Sequence, residues 1–384
     1  MRYKLQDIVD VTMGQSPKSE FYNNDGEGVP FLQGNRTFGF KYPTFDTFTT
    51  MVTKEAKAGD VIMSVRAPVG DLNITPVDIC LGRGVCSLRM KNGNQEFLYY
   101  MMKYYIPQLM NKESGTVFGS VNRNDIIGLE IDIPNDAEKQ EKISRFLSML
   151  DEKIQINNKI NNNLEQQAST LFNSAIEQST SVVYAELGSL ADVKGGKRLP
   201  KGINLVTAPN KHPYIRVRDL NNTVFASLSN NYEYVDDETQ QSISRYIVST
   251  GDLLISIVGT IGLTAIVDHT LNKANLTENC VKLTNLKNVT PEYLLLFLRS
   301  SQGVEAISKG TVGAVQLKLP IKNIQSIAVP LLCDEELLPL NETLSAIFSQ
   351  ISANIVEMKQ LADIRDTLLP ELMSGELDVS DLDL

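Results

Sequence analysis

GDVIMSVRAPVG at residues 59–70 and GDLLISIVGTIG at residues 251–262 are one pattern written twice. In both, a Gly-Asp step leads into an apolar run and the segment closes on glycine, the signature of a turn feeding a strand. Working outward, LQDIVDVTMG from Leu5 returns as LGSLADVKGG from Leu187, and EFLYYMM from Glu96 returns as EYLLLFL from Glu292. SGTVFGSV at 114–121 returns as KGTVGAV at 309–315, and GLEIDIP, ending at Pro134, returns as SIAVP, ending at Pro330. Five matches in the same order, at offsets of 182 to 196, make this a tandem duplication.

After each copy the texture changes. Up to Pro134 and Pro330 the chain runs in short period-two stretches (VIMSV, LLISIV, LEIDI, SIAV) broken by Gly, Pro, Asn and Asp, which predict strands and turns. Beyond each proline the period is helical. Counting Ile143 as an a position, further a positions fall on Leu150, Asn157, Leu164 and Leu171, and d positions on Leu147, Ile154, Asn161, Ala168 and Ala175. One helix from Asn135 to about Gln178 would be roughly 60 Å long. The second stripe is Leu344, Phe348, Ile351, Ile355, Met358 and Ala362, flanked by Ile347, Leu361 and Ile364, with Leu368 near a predicted stop at Pro370. Neither helix buries its stripe alone, so the two are expected to pack together, antiparallel, with a head at each end. The mid-helix run Asn157, Asn158, Asn161, Asn162 and Asn163 is expected to set register rather than to face a partner.

The predicted architecture is α+β: two duplicated mixed α/β domains separated by an antiparallel coiled coil of two long helices. The expected boundaries are 1–134 and 185–330 for the domains, 135–184 for the first helix, and 331–384 for the second helix with an acidic tail.

The chain has 384 residues, 42% hydrophobic and 21% charged, an ordinary globular composition that suits two domains. The apolar stretch between Asp252 and Asp268 is only 15 residues long and carries Ser, Thr and Gly, too short to cross a bilayer. MRYKLQDIVD, at the start, lacks the apolar core of a signal peptide. Cys80, Cys86, Cys280 and Cys333 are scattered among apolar neighbours, which argues for free thiols and a cytoplasmic setting. The net charge of −10 comes from residues 330–384; residues 1–133 are near neutral and residues 185–329 carry +3. A global acidity confined to one end leaves both domains free to present basic faces.

The sequence carries no recognisable catalytic or metal-binding motif. The two histidines, His212 and His269, have no Cys or acid at ligand spacing, so no metal site is expected. No G-x-S-x-G elbow occurs, and KGGKRLPKG at 194–202 lacks the GK[ST] ending of a phosphate loop. Gly82 and Gly84 form a lone G-x-G, Glu55 and Lys57 a lone E-x-K, and no [DNS]-PP-[YFW] methyltransferase segment is present. No catalytic residue is assigned.

What both domains do carry is polar and basic loops. In the first these are Gln15, Ser16, Gln33, Asn35, Arg36, Arg66 and Arg83; in the second, Lys194, Lys197, Arg198, Lys201, Arg216, Arg218, Lys309 and Gln316. Arg, Gln and Asn have the paired donors and acceptors that read guanine and adenine edges, while Lys and Ser anchor phosphates. QGN and IRV each follow a Pro-aromatic step, Pro30-Phe31 and Pro213-Tyr214, so one loop recurs with different letters. That pattern suits two related but unequal targets.

The order L-x-D-I-x-x-V-x-x-G, G-D-[VL]-[IL]-[MI]-S, E-[FY]-L, G-T-V and apolar-Pro, followed by a long helix, resembles the type I restriction-modification specificity (S) subunits. IRDTLLPELMSGELDV at 364–379 is very similar to that family's second helical region, and DAEKQEKISRFLSMLDEKIQINNKINNNLEQQASTLFNS at 136–174 to its first. The resemblance covers essentially the whole chain, although LLCDEELLPLNETL at 331–344 departs from the family's usual Pro-x-x-x-E-Q-x-x-I opening.

The resemblance implies two target-recognition domains, each reading one half of a bipartite, asymmetric double-stranded DNA sequence. The helices, through Ile143, Leu147, Leu150, Ile154, Leu164, Leu171, Leu344, Ile351, Ile355, Met358 and Leu368, would set the spacer and dock two methyltransferase subunits, and through them restriction–translocase subunits. AdoMet, ATP and magnesium (Mg) would belong to those partners, with no cofactor, metal or catalysis in this chain and no membrane contact. A coiled-coil scaffold or adaptor without nucleic-acid contact is the alternative reading.

Overall fold

The computed structural model describes residues 2–111, 119–221 and 223–379. It divides into two units, Met1–Asn158 with Val356–Leu384, and Lys159–Ile355. Residues 114–118 of one repeat match and 380–384 of the acidic tail lie outside the described residues.

In the first unit a four-stranded antiparallel sheet runs Val9–Met13, Val85–Met90, Val61–Ser64, Leu72–Ile74. A second sheet, of five short strands, contains the parallel pair Val29–Leu32 and Ile79–Leu81. The helix Gln95–Asn111 contributes Phe97, Leu98, Tyr100 and Met101, all fully buried, to the main core with Val61, Met63 and Leu88. In the second unit the sheet runs Asp192–Gly195, Cys280–Thr284, Leu253–Ser256, Thr264–Val267, Phe225–Ala226, the last two parallel, and the counterpart of the first unit's parallel pair is Tyr214–Ile215 with Asn275–Leu276. There the helical partner is broken into Pro291–Arg299 and Ser301–Gly310, with the Ser300 hydroxyl accepting the Gly303 N–H to cap the second piece.

The repeated letters are those the backbone needs. Gly59 and Gly251 both sit at φ +86°, in the left-handed region that glycine enters without strain. Asp60 and Asp252, almost wholly buried, each accept a backbone N–H at 2.8 Å, from Lys57 and Ser249. A buried carboxylate requires a partner. Arg89 meets Asp60 at 2.6 Å and Lys282 meets Asp252 at 2.9 Å. Ser64 and Ser256 staple the following turns by accepting the N–H of Asp71 and Leu263, each at 2.9 Å.

The first long helix is Ala137–Gln178 and the second Asp334–Ser374. Helix therefore begins and ends inside the expected 135–184, where Val183–Glu186 is instead a strand paired with Ala328–Leu331. In the first unit Asp151 meets Arg365 and Asn157 meets Glu357; in the second Asn161 meets Asn354, and Ser179, just past the first helix, meets Glu336. Partner numbers fall as the first helix advances, so the helices pair antiparallel in each unit. Each half is built into a head: Ile143, Leu147, Leu369 and Leu372 join the first unit's core, and Ala168, Phe172, Leu344 and Phe348 the second's.

Heptad counting misplaces part of the seam. Leu171 is 41% exposed and Leu150 and Leu164 are only half-buried, while Asp151 and Phe172 turn inward. A straight helix repeats every 3.6 residues and drifts about 20° per heptad, which moves the buried stripe one position along. Ile143, Leu147, Ile154, Leu344 and Ile351 are buried, and Ile355, Met358 and Leu368 half-buried. The second helix also continues through Pro370, because Leu372 and Met373 are fully buried in the first unit's core and hold another turn. Asn157 donates to Glu357 at 2.7 Å and Asn161 accepts from Asn354 at 2.7 Å, whereas Asn158, Asn162 and Asn163 face solvent.

Candidate nucleic-acid interface

Three loops of the first unit meet at a glycine crossing. The Gly14 N–H donates to Val85 O at 3.0 Å and the Gln15 N–H to Leu81 O at 2.9 Å, carrying the chain from one sheet to the other. A Cβ on Gly14 would lie 2.0 Å from Gly82 O, one on Gly82 2.6 Å from Gln33 Cα, and one on Gly84 2.4 Å from Gln33 O. Only glycine permits backbones this close. The lone G-x-G is therefore a packing device.

On this crossing stand Gln15, Ser16, Gln33 and Arg83. The Ser16 hydroxyl donates to Gln33 Oε1 at 2.8 Å and accepts the Arg83 N–H at 3.1 Å. The Thr53 hydroxyl donates to the Gln15 carbonyl. Asn35 donates to Asp71 Oδ2 at 2.5 Å, tying its loop to the 66–71 turn that carries Arg66. Arg36 is turned to Asp46, 2.8 Å away. Its guanidinium, then the Thr47 hydroxyl, hold the Asp46 carboxyl below the usual range. Arg66 and Arg83 are exposed, and neither side chain has an ion partner among the described residues.

The second unit repeats the crossing with other letters. The Gly196 N–H donates to Cys280 O at 3.1 Å, the Lys197 N–H to Leu276 O at 2.8 Å, and a Cβ on Gly196 would lie 2.0 Å from Thr277 O. Matching these bonds and the parallel pairs Leu32–Leu81 and Ile215–Leu276 aligns Gln15 with Lys197, Ser16 with Arg198, Gln33 with Arg216, Asn35 with Arg218, Arg66 with Val258, and Arg83 with Glu278. Where the first copy presents amides, the second presents ion pairs. Arg198 donates to Glu278 at 2.6 Å. Burial pushes the Glu278 carboxyl up, but Arg198, a backbone N–H and the Thr277 hydroxyl outweigh it and keep it low. Arg216 and Arg218 share Glu233, with Arg218 at 2.9 Å. Lys197 sits 5.5 Å from the Tyr246 ring centre, in a cation–π contact.

The other candidates make no side-chain bond to the crossing among the described residues. Lys194 pairs with Asp192 at 3.0 Å, and Lys309 closes its helix in a pair with Glu305 at 2.7 Å, with no bond to the crossing among the described residues. Lys201 is exposed, and Gln316 lies on an exposed loop, 312–318. Glu55 and Lys57 form a surface pair at 2.7 Å. All four cysteines are free. Among the described residues no three His, Cys, Asp or Glu converge as a metal site, and His212 pairs with Asp237. No helix among those residues is long and apolar enough to cross a membrane. The carboxylates that hold the arginines (Asp46, Glu233, Glu278) were not foreseen; extending the repeat through NLTENC at 275–280 would have brought out Glu278.

Residues 1–166 and 181–364 match the family described as type I restriction modification DNA specificity domain. The chain belongs to that family. It is 23% identical over 410 residues to the type I restriction enzyme HindI specificity subunit of Haemophilus influenzae, covering 84% of this chain and 88% of that one. The putative type I restriction enzyme MjaX specificity subunit of Methanocaldococcus jannaschii is 36% identical over 165 residues, which span 42% of this chain and 39% of the relative. Among solved structures, the type I restriction-modification S subunit from M. genitalium superposes with a TM-score of 0.60 at 16% identity, covering 97% of this chain and 96% of that one. At that identity the likeness speaks for the fold: a duplicated mixed α/β chain with long helices. This family member is a specificity subunit of a type I restriction-modification system.

Proposed function

We propose that this specificity subunit reads a two-part, asymmetric DNA target, one part with each head. One observation supports the reading above others: the same glycine crossing occurs in both copies with different side chains on it. Gln15, Gln33, Arg66 and Arg83 offer one set of donors and acceptors, and Lys197, Arg198, Arg216 and Arg218 another. A shared scaffold with divergent polar loops is what two unequal half-sites require. In this reading the long helices fix the spacer and dock two methyltransferase subunits, which in turn bring restriction–translocase subunits. AdoMet, ATP and magnesium are held by those partners, the chain itself catalyses nothing, and the complex works in the cytoplasm. With its arginines largely paired to carboxylates, the isolated chain binds DNA weakly, and the methyltransferases supply much of the phosphate contact.

The test is a methylome. The chain is co-expressed with its methyltransferase partner in an unmodified host, and N6-methyladenine is mapped by single-molecule sequencing. A new bipartite motif that disappears when this chain is omitted is the expected result. A stable complex of the two proteins that writes no motif would overturn the reading in favour of a scaffold.

A further inference from the structure

Residues 306–333 contain Lys309, Lys318 and Lys322 and no Asp or Glu; Lys309 is paired with Glu305, whereas Lys318 and Lys322 have no ion partner among the described residues. Within this stretch the 312–318 loop is closed by two backbone bonds, Val312 N–H to Lys318 O at 2.8 Å and Lys318 N–H to Val312 O at 2.9 Å. Gly313, at φ +117°, makes the tight turn; a Cβ there would lie 2.3 Å from Gln316 O. The loop holds Val315 fully exposed (102%), with Leu317 at 54% and Val312 at 49%. A valine held out in water by a specified turn contributes nothing to the core, and Val312, Val315 and Leu317 together put three exposed apolar side chains on one short loop, a grouping of the kind that marks contact surfaces.

The loop's position says what it meets. Lys318 bridges Val258, and the Leu319 N–H donates to Ile257 O at 3.0 Å. The Ile257 N–H in turn donates to Asn279 O at 2.8 Å, beside the Cys280 carbonyl that takes the Gly196 N–H. The loop thus stands on the same strand ends as Lys197 and Arg198. A basic, acid-free stretch with an apolar tip complements a polyanion that also presents apolar groups. The major groove of DNA is such a surface, and its apolar feature is the thymine C5-methyl.

We propose that Val315 is a specificity-determining residue that packs against a thymine C5-methyl in the half-site read by the second head. This rests on the DNA-reading function above. The test uses the chain in complex with its methyltransferase, on duplexes bearing the methylated motif, with each thymine in turn replaced by uracil, which removes that methyl alone. With the native chain, one replacement lowers the methylation rate about fourfold, the value of one buried methyl-sized group. With Val315→Ala, thymine and uracil at that position are methylated equally well, while the thermal melting of the complex is unchanged. A motif in which no uracil replacement matters, or a Val315→Ala complex that keeps the full penalty, would overturn the proposal and leave the DNA-reading function standing. A native complex that methylates no motif would overturn that function instead.

Discussion

Replacing Asp151 by alanine should destabilise the first unit more than any surface change. The carboxylate is fully buried; Oδ1 accepts from Arg365 Nη1 at 2.6 Å and Oδ2 from the Tyr100 hydroxyl at 2.7 Å. Burial pushes the Tyr100 phenol well above its ordinary range, with the Asp151 charge adding to it, so the hydroxyl stays a donor at any working pH. Removing the carboxylate strands a guanidinium that is only 9% exposed and a phenol with no other hydrogen-bond acceptor among the described residues. Breaking a buried pair from one side costs about 3–5 kcal/mol. Arg365 keeps Asp366 at 2.7 Å on its solvent side, which places the loss near 4 kcal/mol rather than higher. For a unit of this size each kcal/mol moves the melting temperature about 2–4 °C, so the unit's transition should fall by roughly 8–16 °C. Differential scanning calorimetry reads this directly. Leu344→Ala, in the core of the other unit, marks which transition belongs to that unit, and Asp151→Ala should leave that transition where it is. Asp151→Leu combined with Arg365→Met removes both charges and should recover most of the loss. A fall of less than about 2 °C for Asp151→Ala, or a double variant no better than the single, would refute the reasoning.

At the two crossings, Gly14→Ala and Gly196→Ala place a Cβ 2.0 Å from a carbonyl oxygen, and displacements on the order of 1 Å cost about 100-fold in rate. Each should abolish methylation through one half-site, whereas Gly34→Ala, with nothing within 4 Å of its Cβ, should behave as native in the same duplex assay. Asp46→Asn frees Arg36; the expected result is tighter non-specific DNA binding, with the salt slope steeper by about 1, measured by fluorescence anisotropy across a salt titration. Because the Asp46 carboxyl is held low, the native pair is intact above about pH 4, where free carboxylates titrate, and is lost only as pH falls through the lower folded value. Native Asp46 and Asp46→Asn should therefore converge in DNA affinity under acid and differ at pH 7. Burial pushes the Cys86 and Cys280 thiols up to about 12, so both are protonated and unreactive at pH 8. Iodoacetamide followed by mass spectrometry should label half-exposed Cys333 first, and Cys86 and Cys280 only after unfolding.

The duplication was legible because it is written in residues the backbone cannot replace: glycines at positive φ, the buried aspartate of each Gly-Asp step, and the serine that staples each turn. These are local demands, and local demands show in a single sequence. The helix seam was only half legible. A heptad count favours Leu150 and Leu171 over Asp151 and Phe172, and nothing in the letters says that an aspartate is turned inward to meet an arginine 214 residues later. Nor did the sequence disclose that Arg36 is held by Asp46, or Arg216 by Glu233, since those pairs depend on loop conformations without a period. Gln15, Ser16, Gln33 and Arg83 of the first head lie together at one crossing, whereas Lys309 does not, because the match that suggested it starts in the last turn of a helix, where the lysine pairs with Glu305.

The glycine crossings divide labour between atoms. Main-chain bonds and missing side chains set the path of each crossing, so the side chains that project from it can differ while the backbone stays the same. Gln33 in one copy stands where Arg216 stands in the other, and Ser16 where Arg198 stands, without the crossing being disturbed. An address written on such a frame can be rewritten one letter at a time, since no intermediate has to survive a loss of folding on the way to a new target. Drift in these loops is then cheap, and a lineage carrying this chain can change what it recognises faster than it changes what it is.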